Sequence, residues 1–342
     1  MRRFDDNPLL PKTTSQAGAP LFPKNQPAPA PAFPEAQQNL VAHSSQVSRH
    51  AAQIIQQFLN ADYLTATFDI NAPGMADVYD SVVVPQWSSL FGHFIVSELL
   101  VTPRPAHAQV LDVGCGTGYP AIELARYLGN DMDITGIDIW ESGVESARRK
   151  AQEQWLRSVV FLPVDIAHAQ FPENSFDIIT SNLGYGSFAD HGRSIAVMTR
   201  LLRENGTIIC TAALQTTFRE FLDLYHEVLT DLALTSYAEA LVNSIKNRPT
   251  IAAMRAAFQQ TGLQIVHEAA ENTTIEFADA RDFFTSPVIA LQYIIGWRGV
   301  ITDIHLRKII FAELERRLDA KAKEENGLKF TVSIGMISAQ SM

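Results

Sequence analysis

Three carboxylates in this sequence stand at the ends of short apolar runs: Asp112 in "VLDVG", Asp138 in "ITGIDI" and Asp165 in "FLPVDI". Directly after the first comes "GCGTG", with Gly114, Gly116 and Gly118 at every second position around Cys115. Glycines remove side chains where a backbone must turn tightly and let a ligand approach closely. A carboxylate ahead of such a bend repels a pyrophosphate and suits a ligand that carries an ammonium group. An acid twenty residues past the bend, as Asp138 is past Gly118, commonly accepts both hydroxyls of a ribose. Asp165, at a third strand end, can accept from the exocyclic amine of a base. Tyr119 occupies the place of the last glycine in the dinucleotide pattern G-x-G-x-x-G, and with Asp112 it counts against a nicotinamide dehydrogenase.

An ammonium, a ribose and an adenine together describe S-adenosylmethionine. They are bound by successive strand ends only if the apolar runs lie side by side. The runs "AQVLDVG", "DITGIDI", "VVFLPVD", "FDIITSN" and "GTIICTA" alternate with stretches of helical spacing such as "AIELARYLG" and "ESGVESARRKAQEQW". Parallel neighbours need crossover connections, so this alternation predicts a doubly wound α/β sheet with ligands at the carboxyl ends of its strands. Two later runs, "LQIVHEAAENTTIEF" and "LKFTVSIGMISAQ", alternate in polarity and are bounded by turn residues. They are expected to pair with each other at the sheet edge.

Eight of the 17 prolines fall in the first 34 residues. Residues 1–40 therefore read as a disordered leader, with a polyproline-II segment that docks on a partner as the functional alternative. Residues 41–105 read as an N-terminal helical shoulder and 106–342 as the core, with a helical cover over 217–260 and 278–326. Acidic residues exceed basic ones by ten, which disfavours a nucleic-acid substrate. The two cysteines, Cys115 and Cys210, fit neither a disulfide framework nor a zinc site, and no metal is expected. No signal peptide or stretch long enough for stable membrane insertion is apparent, so a cytoplasmic protein is expected.

The stretch from Val110 to Ala213 resembles class I S-adenosylmethionine-dependent methyltransferases. The matching elements are "VLDVGCGTG", the acid of "GIDI", "VDIAHAQFPENSFDIITSNLGYGSF" and "MTRLLRENGTII". "YDSVVVPQW", "TTIEFADARDFFTS" and "GLKFTVSIGMISA" extend the likeness toward the ubiquinone-biosynthesis-like branch that methylates small molecules. The resemblance implies a seven-stranded, mostly parallel Rossmann-like sheet with a helical substrate cover. It implies that the glycine bend with Asp112 and Cys115 contacts the methionine part of the cofactor. It further implies that Asp138 contacts the ribose, Asp165 and Ile166 the adenine, that Ile139 belongs to the cofactor site, and that Asn182 and Leu183 line the wall near the sulfonium.

Methyl transfer from a sulfonium is an in-line displacement, in which positioning does most of the work and a base is optional. His191 is the histidine nearest in sequence to the transfer side, and it reads either as a base or as a surface residue before a helix. Tyr185 reads as a substrate contact or as packing, Tyr79 as a closure of the cofactor pocket, and His226 as a substrate-facing residue of the cover. The proline-proline-aromatic turn of many amino-methylating enzymes is absent after Asn182. The cover run "RDFFTSPVIALQYIIGWRGVI" is rich in large apolar residues. The expected activity is O-methylation of a small apolar or aromatic metabolite, at a hydroxyl or carboxyl. Methylation at carbon of a quinone or polyketide ring, and a non-catalytic binding module built on the cofactor fold, stand as alternatives.

Overall fold

The computed structural model describes Leu21, residues 49–188 and residues 190–342. Most of the proline-rich leader, and its expected disorder and docking role, lies outside the described residues. Leu21 is held: its amide donates to Asp223 Oδ1 at 2.6 Å and its side chain packs on the core of the helical cover.

Seven strands form one sheet: β1 Ala108–Val113, β2 Met132–Asp138, β3 Val159–Pro163, β4 Phe176–Ser181, β5 Leu202–Ala213, β6 Gln264–Phe277 and β7 Leu328–Gln340. Their order is β3-β2-β1-β4-β5-β7-β6. The first five run parallel, and β7 runs antiparallel to both β5 and β6. β1 and β4 are buried along almost their whole length, which is why they read as continuous apolar runs and not as alternating ones. β6 is the edge strand. Its exposed Glu268, Glu271, Thr274 and Glu276 keep that edge from templating another chain. The expected pairing of the last two runs is present over their length, from Gln264 opposite Gln340 to Phe277 opposite Leu328.

The helices are α1 Arg49–Asn60, α2 Met75–Val78, α3 Ser89–Val101, α4 Ala121–Leu128, α5 Glu141–Glu153, α6 His191–Leu201 and α7 Arg219–Asp231. They continue with α8 Thr235–Lys246, α9 Ile251–Gln260, α10 Ala280–Thr285, α11 Pro287–Gln292, α12 Ile294–Gly299 and α13 Ile304–Glu325. Ile95 and Leu99 of α3, Ile122 of α4 and Val144 of α5 fill one face of the sheet. Ile195 and Met198 of α6, with Met254 and Phe258 of α9, fill the other. Thus α9, although inside the 217–260 span, packs on the sheet. The rest of that span joins α10 to α13 in the cover.

The cover has its own core. Phe218, Phe221, Phe283, Trp297 and Phe330 are buried together, with ring centroids 4.4 Å apart for Phe221 and Trp297 and 4.5 Å for Phe283 and Phe330. Between α2 and α3 the chain runs as a π-helix over Tyr79–Ser88. That wider turn carries Pro85, whose missing N–H and ring are poorly tolerated inside an α-helix. Its apolar spacing gives no hint of the change. Among the described residues no helix is long and apolar enough to cross a membrane.

Gly118 shows why the bend needs glycine even away from any ligand. Its φ is +98°, and an added Cβ would lie 2.7 Å from Ile122 Cδ1 and 3.0 Å from Ala147 Cβ, where α4 meets α5. Gly118→Ala should destabilise the fold by about 1–3 kcal/mol, the usual range for a left-handed non-glycine position. Thermal denaturation reads this directly, and an unchanged midpoint would refute the packing argument.

Candidate active site

The bend after β1 is built from three left-handed glycines, Gly114, Gly116 and Gly118. It is tied to β2, because the amides of Gly114 and Cys115 both donate to the Ile137 carbonyl, at 2.8 and 3.0 Å. Asp138 completes the tie. Its Oδ2 accepts from the Gly116 amide and its Oδ1 from the Trp140 amide, each at 2.8 Å. An ionised carboxylate has about four lone-pair sites, so both oxygens retain capacity for a ligand. A Cβ built on Gly116 meets nothing within 4 Å, so the bend is open at that residue.

A cavity of about 1170 Å³ lies over these strand tips. Gly114, Gly116, Asp138, Ile139, Asp165 and Ile166 line one end, and Asn182 and Leu183 lie further along after β4. Ile139 is 74 % exposed and offers an apolar face to the cavity. Asp165 caps the turn beyond β3, its Oδ1 accepting from the Ala167 amide at 2.9 Å and its Oδ2 lying 3.2 Å from His168 Nδ1. Asn182 is fixed from both sides: Nδ2 donates to the Ser88 carbonyl at 3.0 Å and Oδ1 accepts from Thr211 Oγ1 at 2.9 Å. Thr211 Oγ1 in turn accepts from the Leu183 amide at 3.0 Å, and Leu183 is left-handed with φ 65°. Ser181 Oγ stands where a Cβ on Gly184 would go, which closes this turn against the end of β1.

The other expected residues divide. Tyr79 lines the cavity. Its ring meets Trp140 edge-on at 5.3 Å, and burial pushes its phenol up. Trp140 Nε1 donates to the Ile70 carbonyl at 3.0 Å, so the loop Phe68–Asn71, which also lines the cavity, is fastened across the cofactor end. Cys115 and Gly118 lie behind the bend and outside the lining. Burial raises the Cys115 thiol well above its ordinary value, so it behaves as a small packed side chain.

Tyr185 and His191 are not brought to the cavity. Their rings stack on each other at 4.6 Å and Tyr185 stacks on Phe258 at 6.4 Å, so both turn toward α9 and the sheet. His226 lines a separate groove of about 420 Å³ with Glu239, Asn243 and Lys246 between α7 and α8. Sequence reading missed Trp87, Thr217, Arg248 and Tyr293, all of which line the main cavity. The aromatics could have been sought in the apolar runs that contain them. Arg248, in "KNRPT", carries no local signal.

Asp112 lies beneath the bend, 1 % exposed and outside the cavity lining. Its Oδ1 accepts from Thr180 Oγ1 at 2.7 Å, and its Oδ2 has no partner among the described residues. Burial, opposed by the Thr180 hydrogen bond and aided by the charge of Asp138, pushes this carboxyl up to about 7. A buried carboxylate oxygen without a partner is costly, and a cation near the bend offsets that cost. The spare lone pairs of Asp138, the open Gly116 and the bare face of Ile139 fit a ribose and a base. These residues match the donor and acceptor pattern of a cationic nucleoside.

A family model described as "Methyltransferase domain" matches residues 105–269, the span that holds the bend, β1 to β5 and the start of β6. Residues 105–269 thus match a methyltransferase domain, and the chain is similar to S-adenosylmethionine-dependent methyltransferases. The methyltransferase is similar to the demethylmenaquinone methyltransferase of Bacillus cereus, 28 % identical over 168 residues, 46 % of this chain and 71 % of that one. Over 117 residues it is 31 % identical to the Staphylococcus aureus protein of the same name, covering 34 % of this chain and 48 % of that one. Among solved structures, YcgJ of Bacillus subtilis superposes with a TM-score of 0.48 at 20 % identity, covering 73 % of this chain and 98 % of that one.

Two outcomes test the site. Asp138→Ala should weaken S-adenosylhomocysteine binding by at least about tenfold, from the charge-assisted hydrogen bonds it removes, worth roughly 1.5–3 kcal/mol each; calorimetry giving less than about twofold would remove Asp138 from the cofactor site. For Asp112 the folded pKa lies above the ordinary carboxyl value of 3.8, so its contribution to stability is complete below that value and is lost as pH rises through about 7. Unfolding free energy of the ligand-free methyltransferase should therefore fall between about pH 4 and 7 and then level. Asp112→Asn should flatten that slope, and an identical slope in the variant would overturn the assignment.

Proposed function

We propose that this methyltransferase transfers a methyl group to oxygen, at a hydroxyl or carboxyl of a small, largely apolar or aromatic metabolite. One observation carries this reading: a single cavity runs from the acidic strand tips at Asp138 and Asp165 to a wall made by Trp87, Leu183, Leu214, Leu291 and Tyr293. The first end suits a nucleoside and the second a planar apolar molecule. When bound, S-adenosylmethionine supplies an electrophilic methyl group whose departure leaves a neutral thioether.

The chain's own residues supply placement. Asp138, Ile139, Asp165 and Ile166 are proposed to hold the nucleoside, and the bend from Gly114 to Gly118 the amino-acid part. Asn182 and Leu183, locked by Ser88 and Thr211, form a rigid floor between cofactor and acceptor. Trp87 and Tyr293, in edge contact at 5.6 Å, bound the acceptor compartment and exclude water from it. An acceptor that arrives ionised needs no base, so holding nucleophile and methyl carbon on one axis is sufficient.

A second reading, methylation at carbon of a quinone ring, is favoured by the names of the curated relatives. A screen of phenols, quinols and aromatic carboxylic acids with 13C-methyl-labelled S-adenosylmethionine decides between them. Release of S-adenosylhomocysteine marks turnover, and the carbon spectrum of the product distinguishes methyl on oxygen from methyl on a ring. We expect an O-methyl product, and a C-methyl product would replace the first reading by the second.

A further inference from the structure

We infer that Arg248 is the acceptor-anchoring residue and that the acceptor carries an anionic oxygen, a carboxylate or an ionised phenol or enol, which pairs with its guanidinium. This rests on the proposed reading of the cavity and deepens it. Arg248 lines the cavity together with Thr217 and Tyr293, beyond the strand tips assigned to the nucleoside. A guanidinium has five N–H donors. Among the described residues that of Arg248 has one hydrogen-bond acceptor, the Thr217 carbonyl, 3.1 Å from Nη1. Its carbon lies 5.8 Å from the centroid of the Tyr293 ring, a weaker partner than a carboxylate.

Several other arginines are already committed, and Arg193, which also lines the cavity, donates to the Ala167 carbonyl at 3.4 Å, at the turn that Asp165 caps. Arg317 meets Glu227, Asp231 and Glu313 at 2.7–2.8 Å. Arg298, half-way between loop and cover, donates to the carbonyls of both Tyr63 and Ala66, which pins the loop after α1. Arg307 directs two nitrogens to the Ile301 carbonyl. Arg248 has no carboxylate in ion-pair contact among the described residues, and burial lowers its pKa, opposed by the Tyr293 phenol and by no carboxylate. Arg248 is half-buried, and a ligand oxyanion in the same cavity would offset the part of its hydration that burial removes.

The geometry also fits the shape of such a ligand. A guanidinium recognises a carboxylate through two parallel hydrogen bonds, and the neighbouring rings of Tyr293 and Trp87 offer flat surface to an attached aromatic system. Arg248 sits one residue before Pro249 and two before the Thr250 cap of α9, whose Oγ1 accepts from the Ala253 amide at 3.1 Å. The side chain therefore leaves from backbone that is fixed on both sides. The acid-bearing strand tips attract the cationic cofactor, and Arg248 attracts the opposite charge, so each ligand is sorted to its own end.

The test uses full-length protein saturated with S-adenosylhomocysteine and titrated calorimetrically with 1-hydroxy-2-naphthoate, its methyl ester and 1-naphthol. Wild type should bind the acid about tenfold or more tighter than the ester, the factor expected of one charge-assisted contact. In Arg248→Gln that ratio should collapse to within about twofold, with Arg248→Lys intermediate, while S-adenosylhomocysteine affinity stays the same in all three. Tight, Arg248-dependent binding of naphthol at a pH where it ionises would assign the anion to a phenol and not to a carboxylate. Equal binding of acid and ester to wild type, an acid preference that survives in the glutamine variant, or no binding of any of the three probes would overturn the inference. Should the glutamine variant lose S-adenosylhomocysteine as well, the lysine variant decides, and an unchanged acid preference there counts against the inference. Failure of wild type to bind S-adenosylhomocysteine would strike the cofactor reading instead.

Discussion

The site depends on one carboxylate that does two backbone jobs. Asp138 accepts from Gly116 in the bend and from Trp140 at the entrance to α5, so the tips of β1 and β2 are held at a fixed separation. The Ile137 carbonyl, accepting two amides of the bend, fixes its height above the sheet. Because those bonds leave lone pairs over, the same group that shapes the bend can also receive a ligand. Local structure and binding are here one arrangement, and the left-handed glycines are what make it sterically accessible.

Around that fixed point the molecule is made of two cores with different purposes. The sheet is packed by aliphatic side chains on both faces, as a parallel sheet covered by crossovers must be. The cover is packed by aromatic side chains, with Phe218 in contact with Trp87, Phe283, Tyr293, Trp297 and Phe330. Rings at varied tilts fill the angular spaces left between short helices. The hollow lies along the seam between the two cores, and for that reason its walls change character from acidic strand tips to aromatic side chains.

Strand positions were legible because burial on both faces leaves an apolar run in the sequence, as in "VLDV" and "FDIIT". Asp138 could be sought by its chain distance from the glycine bend, and Asn182 only through the family resemblance; both line the cavity. Tyr185 and His191 were chosen by the same nearness in sequence, and both turned away from the cavity. Their orientation is set by Phe258 on α9, more than sixty residues later, and nothing local records it. Asp112 was read as a ligand contact, yet it is a layer deeper, bonded to Thr180 on β4. Arg248 and Tyr293 meet only because separate cover segments converge, so their pairing has no period or motif. The π-helical run was hidden for a related reason: its hydrogen-bond register depends on Pro85 and the helices at each end, while its composition resembles any apolar helix.

The walls of the hollow come from opposite parts of the chain. Phe68 to Asn71, Tyr79 and Trp87 precede the shared domain, and Leu291, Tyr293 and Ile295 follow it. The region common to methyltransferases thus holds one half of the container, and the flanks hold the other. Change in the flank that follows it, at Leu291, Tyr293 and Ile295, can remould the proposed acceptor end while leaving the strand tips intact. A fragment trimmed to the shared region, by contrast, would present its strand tips to open water, with no roof above them.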